Sequence, residues 1–421
     1  MKLTENQEMY LNLFNEFVQQ EVAPRIKELD EVDEYPIWMR DRMAELGFTR
    51  LVAPEEYGGF GESMTTLLML IIEASKYNNN LASILNCSNN ANKLLSFANQ
   101  EQIDRFLPMI VDEGKFMGMA YTEPSGGSDS RAISTTAVLD GDEWVINGTK
   151  SFISYRCAVG SWQVSAKTVD PETGKEGISV FLVAADAPGI TYGAHYKKFG
   201  WCGSDTGDIY FKNCRVPKWS LCGQLNKGLR ISLGTLDGAR LVIAARAVGY
   251  AKGAYEKALD YATQRIAFGK PLSDFQVLQH YIADMYSSIQ VGEGYLMYLA
   301  SLLDNGESIA KGASIAKLFC TEEAQKICEK AMQLCGGMGL LKDFGLSRYY
   351  EDARVLTIGE GTSEIQKNII FKSIMADRCA GAALSARRPA PERADSARNC
   401  HAINELVKHV AFSYVRREGK K

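Results

Sequence analysis

The residue best placed to do chemistry in this chain is Glu360, set between two glycines in Gly359-Glu-Gly-Thr-Ser-Glu-Ile-Gln366. Ser363 and Gln366 have capping-box spacing, and Ile365, Ile369 and Ile370 give an apolar helical face, so Glu360 is expected on the turn into a helix. The helix N-terminus favours its carboxylate and burial disfavours it, a balance that can tune a general base or describe an ordinary helix-start acid. A second candidate is the glycine-rich Tyr121-Thr-Glu-Pro-Ser-Gly-Gly-Ser-Asp129, whose Gly126-Gly127-Ser128 lets backbone N–H groups converge on an acceptor. A third is Gln264-Arg-Ile-Ala-Phe-Gly-Lys270, in which Arg265 offers a rigid set of donors to phosphate oxygens or simply ends a helix in solvent.

The elements that must carry these residues fall into successive segments. Residues 1–117 read as helices: Thr4 and Gln7 have capping-box spacing before an apolar series, Pro24 bends or ends that helix, and Thr65–Ser75 and Asn99–Val111 follow. Residues 118–225 read as short strands. Asp140-Gly141 and Asn147-Gly148 are expected to turn on either side of Glu143–Ile146, with further strands at Ser161–Ala166, Gly177–Ala184 and Asp208–Phe211, as in a small antiparallel barrel. Residues 226–377 read as long helices over Leu236–Thr263, Phe275–Asp304 and Lys311–Gly336, packed as a bundle. Residues 378–421 read as an atypical tail, a linker over Ala380–Arg398 and then an amphipathic helix over Ala402–Val415. The whole is an α+β multidomain arrangement.

Composition excludes several classes. A net charge of −4 argues against a nucleic-acid binder, and no run reaches the roughly 18 apolar residues of a membrane span. The ten cysteines include no Cys-x-x-Cys pair and no His at zinc-ligand spacing, so no metal site is expected and reduced thiols in a cytoplasmic protein are. The N-terminus lacks the layout of a targeting peptide.

Pro54–Gly59, Tyr121–Asp129, Gln264–Lys270, Gln333-Leu-Cys-Gly-Gly-Met-Gly339 and Gly359–Gln366 together resemble the acyl-CoA dehydrogenase family, in its order and spacing over about residues 1–377. The resemblance implies an N-terminal helical domain, a middle β-barrel and a C-terminal bundle, with FAD as cofactor. It implies that Glu360 takes the α-proton of an acyl-CoA thioester while the β-hydrogen leaves as hydride to the flavin, or that the reverse reduction occurs. It places Met119, Tyr121, Thr122, Ser128, Phe152 and Ser154 beside the flavin. Phe152 and Ser154 stand where the family usually has Trp and Thr. Arg265, Phe268, Gln276, Gln333, Cys335, Gly336 and Gly337 are implied at the cofactor of a neighbouring copy, with Thr362 and Glu364 also cofactor-binding. Ser128, Asp237, Arg240 and Gly361 are implied on the substrate side. A homotetramer, as a dimer of dimers, and an electron-transfer flavoprotein as electron acceptor are further implications.

Some relatives carry the base on the bundle helix, just before an arginine; here Asp237-Gly-Ala-Arg240 puts Ala239 there, leaving Glu360. Gly359 replaces the aromatic residue common before the base, which should widen the pocket for a branched or cyclic acyl group. Asn86-Cys-Ser-Asn-Asn-Ala91 suggests a polar or short acyl tail, or merely a helix N-cap region. A non-catalytic scaffold of the same fold, and a flavin monooxygenase or oxidase, remain open.

Overall fold

In a computed structural model, residues 3–234 and 236–387 are described. The chain divides into two units, 1–370 and 371–421, and of the second only the continuation of one helix to Arg387 is described.

Helices come first: α1 (Glu5–Phe17), α2 (Ile26–Glu31), α3 (Ile37–Glu45), α4 (Met64–Ser75), α5 (Asn79–Leu95) and α6 (Gln100–Val111). The Thr4–Gln7 capping box forms, and a second one joins Asn99 to Gln102 at the start of α6. At Pro24, which has no N–H to donate, α1 has already passed through a π-helical turn (Val18–Val22) into a 3-10 turn (Ala23–Arg25). α4 is apolar almost all round, with Leu67, Leu68, Leu70 and Ile71 fully buried between α5 and the later bundle. Asn86–Ala91 lies in the middle of α5, whose cap is Asn78, so it is no N-cap region.

The next segment is one eight-stranded sheet: β1 (Phe116–Ala120), β2 (Thr136–Asp140), β3 (Glu143–Ile153), β4 (Val159–Val169), β5 (Glu176–Ala184), β6 (Ile190–His195), β7 (Gly207–Pro217) and β8 (Leu221–Cys222). The strand order is β6-β7-β3-β2-β4-β5-β8, with β1 also on β4. The expected antiparallel pattern holds except that β1 and β2 both run parallel to β4. Asp140-Gly141 turns β2 into β3 as expected, whereas Asn147-Gly148 does not turn. It is a bulge inside β3, where the register with β7 shifts between Ile146 and Gly148. Gly148 adopts φ +153°, and a Cβ there would lie 2.4 Å from the Thr135 hydroxyl oxygen. Close approach, not chain reversal, selects this glycine.

The bundle follows: α7 (Gly228–Gly234), α8 (Leu236–Gln264), α9 (Gln276–Asp304), α10 (Ala310–Cys335), α11 (Ser347–Leu356) and α12 (Ser363–Arg387). The buried Ala244, Ala245, Ala247, Ala251, Ala254 and Ala258 let α8 approach α10 and α4 closely. Between α8 and α9 a tight hairpin joins β9 (Ile266–Ala267) to β10 (Lys270–Pro271). Its turn residues Phe268 and Gly269 have φ of +53° and +80°. α12 runs on through 378–387, so the start of the expected linker is helical; the rest of it and Ala402–Val415 lie outside the described residues.

Gly148→Ala should lower stability by about 1–3 kcal/mol, seen as a drop of several degrees in Tm. An unchanged melting curve would show that Thr135 yields without cost.

Candidate active site

Glu360 sits in the turn between α11 and α12 with φ +53°, a left-handed conformation that is costly for a residue with a Cβ. Hydrogen bonds hold it there. The Gly359 N–H donates to the Val355 carbonyl (3.0 Å), and the Ser363 N–H to the Thr357 carbonyl (3.1 Å). Gln366 Nε2 donates to the carbonyls of Glu360 (3.1 Å) and Gly361 (3.0 Å), and Lys317 Nζ donates to the Gly361 carbonyl at 2.8 Å. The expected Ser363–Gln366 capping box is therefore replaced: Gln366 reaches past the helix start to the turn, and Ser363 Oγ donates to Glu322. Thr362 caps the helix instead, its hydroxyl accepting from the Ile365 N–H (3.4 Å).

Two lysines answer to the charge of Glu360. Lys317 on α10 is fully buried; burial pushes its ammonium down to about 8, against the upward pull of Glu360 and Glu322. Lys93, in the last turn of α5, is likewise lowered by burial, and the charge that pulls it up is that of Glu360. Neither lysine carries a motif. Lys317 could have been noticed as one cation on the otherwise apolar face of Ala313, Ala316, Cys320 and Ala324.

Arg240 is buried and donates to Asp237 at 2.7 Å, the intrahelical pair that an i, i+3 spacing allows. Burial raises the Asp237 carboxyl although Arg240 draws it down. Ala239 is buried, so the second base position offers only a methyl group. At Gly359 the Val355 carbonyl, 3.6 Å away, is the sole atom that an added Cβ would meet within 4 Å. The first carbon of a larger side chain would therefore meet no side chain there.

A second cluster stands on the sheet. The Ser151 N–H donates to the Thr122 carbonyl (2.8 Å), which ties the glycine-rich loop to β3. Tyr121 Oη donates to Gln163 (2.9 Å), a residue paired with Met119 across β4. Beneath them Lys150 and Glu123 form a fully buried ion pair at 2.8 Å. The Ser134 hydroxyl and the Ser134 and Thr135 N–H groups also donate to Glu123, which stays well below the usual carboxylate range despite its burial. Ser128 is exposed on that loop. Phe152 has φ +58° and stays 68 % exposed beside Tyr196 (ring centroids 5.3 Å apart), while Ser154 Oγ shares a hydrogen bond with Thr206 (2.8 Å). An apolar ring held outward by a strained residue, with a hydroxyl two residues on, fits the face and edge of a flat heteroaromatic group.

A third set lies on the surface of the bundle. Phe268 is 97 % exposed at the hairpin tip, with Arg265 and Gln276 exposed at its two ends. Gln333, Gly336 and Gly337 are exposed at the C-terminus of α10, but Cys335 is buried, so its side chain has no open face there. Glu364 is exposed on α12, its carboxyl lowered by its own N–H and by the Thr362 hydroxyl.

Family models for the acyl-CoA dehydrogenase N-terminal, middle and C-terminal domains match residues 4–115, 118–214 and 226–375. The chain is 37 % identical over 376 residues to acryloyl-CoA reductase (NADH) of Anaerotignum propionicum, covering 89 % of this chain and 95 % of that one. It is 36 % identical over 374 residues to a subunit of the caffeyl-CoA reductase-Etf complex of Acetobacterium woodii, covering 88 % and 98 %. Among solved structures, butyryl-CoA dehydrogenase of Megasphaera elsdenii superposes with a TM-score of 0.85 at 31 % identity, covering 89 % and 99 %. With the domain models matched along most of its length, the chain belongs to the acyl-CoA dehydrogenase family.

Proposed function

We propose that Glu360 is the base of an FAD-dependent acyl-CoA dehydrogenase, removing the α-proton of an acyl thioester. The carrying observation is the turn itself: a glutamate held in a left-handed conformation by Gln366 and Lys317, with its charge felt by Lys317 and Lys93. Strain kept in place by dedicated hydrogen bonds is what a positioned reactive group requires.

FAD, when bound, takes the β-hydrogen of the substrate as hydride. The rest falls to the chain. Glu360 receives the α-proton, so the acyl-CoA leaves as the 2,3-enoyl-CoA, and the reverse sequence reduces an enoyl-CoA. As the proton departs, charge grows on the thioester oxygen and needs a donor. The backbone N–H of Glu360 has no acceptor among the described residues and can serve. Phe152 and Ser154 receive the flavin ring; Met119, Tyr121, Thr122 and Ser128 border it; Asp237, Arg240 and Gly361 face the thioester.

Arg265, Phe268, Gln276, Gln333, Gly336 and Gly337 serve the cofactor of a neighbouring copy in a homotetramer, with Thr362 and Glu364 nearby; their exposure supports this reading. Cys335 contributes backbone there, not its buried thiol. An electron-transfer flavoprotein is the proposed redox partner, a choice supported by the relative from an Etf complex. Among the described residues no helix is long and apolar enough to cross a membrane. The described cysteines are all free thiols, which supports a cytoplasmic site.

Glu360→Gln should keep its flavin colour while anaerobic bleaching by acyl-CoA slows by about 10²–10⁴-fold; a variant that still bleaches at the native rate would remove the assignment. Gly359→Tyr should fold normally and lose turnover of branched or cyclic acyl-CoAs more than of linear ones. Native turnover confined to small linear thioesters would contradict the widened pocket. Lys317 carries its charge below about 8 and loses it above, and with the charge goes its strong hold on the Gly361 carbonyl. The flavin reduction rate should therefore fall on the alkaline side with a midpoint near 8. Lys317→Arg, charged throughout, should move that limb upward by about one pH unit or more; an unmoved limb would exclude Lys317 as its origin.

A further inference from the structure

Arg246 is a buried cation with no part in the proposed chemistry. It lies on α8, 4 % exposed, and its hydrogen-bond partners are neutral: Asn79 Oδ1 accepts from Nη1 (3.3 Å) and Ser83 Oγ from Nη2 (2.6 Å). Its flat face lies over the Trp201 ring, 4.9 Å from the centroid. Its Nε–H is buried and bonds to nothing. Among the described residues no carboxylate lies within ion-pair distance of it, whereas the other two buried arginines are matched, Arg156 with Asp205 (2.8 Å) and Arg240 with Asp237 (2.7 Å), as is the half-buried Arg348 with Asp30 (3.0 Å). Asp352 accepts from the Trp201 N–H (2.6 Å), and the cation that draws on its carboxyl, pushed up to about 7 by burial, is Arg348. A buried guanidinium without an anion is costly, and the Nε–H of Arg246 is left to donate to a carboxylate that would also supply the missing charge.

α5 connects this cation to the base. Asn79, Ser83, Asn86, Asn90 and Lys93 recur at spacings of four and three residues, so they share one helical face. At one end Asn79 and Ser83 hold Arg246; at the other, Lys93 answers to the charge of Glu360. The Asn86 Oδ1 between them is buried with no partner, as is the hydroxyl of Tyr35, whose ring meets Tyr155 edge-on at 6.0 Å. Tyr155 in turn accepts from Asn79 Nδ2 at 3.1 Å. Along α8, Arg246 stands six residues beyond Arg240, a rise of ~9 Å, within the length of a short to medium acyl chain.

We propose that Arg246 ends the acyl pocket and selects a thioester whose acyl group carries a carboxylate at its far end, a dicarboxylic acid monothioester. The inference rests on Glu360 as the base, because it places the acyl group between Glu360 and this cation. The polar face of α5 lines the path, and the substrate carboxylate supplies the anion that Arg246 lacks.

The test uses the flavin-loaded protein and pairs of thioesters of equal chain length, adipyl-CoA with hexanoyl-CoA and glutaryl-CoA with pentanoyl-CoA. Half-bleaching of the flavin under anaerobic conditions should need about tenfold to a hundredfold less of each dicarboxylic thioester. Arg246→Gln should erase or reverse that preference, and Arg246→Lys should keep part of it. Equal or better bleaching by hexanoyl-CoA and pentanoyl-CoA in the native protein overturns the proposal, and so does a flavin-loaded Arg246→Gln variant that keeps the native preference. Should that variant fail to hold flavin, the native pairs and Arg246→Lys decide. If none of the thioesters bleaches the flavin, and none of the corresponding 2-enoyl-CoAs reoxidises the reduced enzyme, the reading of Glu360 fails and this one with it.

Discussion

The site depends on one backbone constraint, the left-handed turn that presents Glu360. Two consecutive residues with positive φ, Glu360 and Gly361, reverse the chain between α11 and α12 and turn their carbonyls inward. Those carbonyls would be left wanting donors. Gln366 serves both from the first turn of α12, and Lys317 serves the second from α10. Buried carbonyls must be satisfied, so the same bonds that meet this requirement fix the glutamate in space. Each donor sits on a helix packed in the bundle. The position of the base is therefore as rigid as the bundle itself.

The bundle in turn is rigid because α8 and α4 bring unusually small or unusually apolar faces to it. A row of alanines on α8 lets α10 come close enough for Lys317 to reach the turn. α5, packed on α4, brings Lys93 from a distant part of the sequence to the same carboxylate. The surroundings of Glu360 are thus assembled from three segments far apart in the chain.

The buried polar groups mark where segments meet. Lys150 and Glu123 tie the glycine-rich loop to the sheet with a fully buried, hydrogen-bonded ion pair, and Arg246 joins α8 to α5 and to Trp201 of the β6–β7 loop. The first is complete by itself. The second lacks an anion, and this difference separates a structural junction from one open to a ligand.

Local signals in the sequence were sufficient for most of the elements and for singling out Glu360. The cap at Thr4, the turn at Asp140-Gly141 and the long periodic helices are short-range effects, and all appear as read, while the cap at Asn99 was not read beforehand. Glu360 was legible because glycines flank it and Ala239 vacates the other base position. Other features depended on residues distant in sequence. Gly148 looked like a turn glycine, but Thr135 crowds it into a bulge. Gln366 looked like half of a capping box, but the Glu360 and Gly361 carbonyls claimed it. Lys93, Lys317 and Arg246 carried no spacing that named them, since a buried charge is recognised by what surrounds it. The sequence by itself singled out the glutamate proposed as the base; only tertiary packing decided which cations surround it, because charges act through space and not along the sequence.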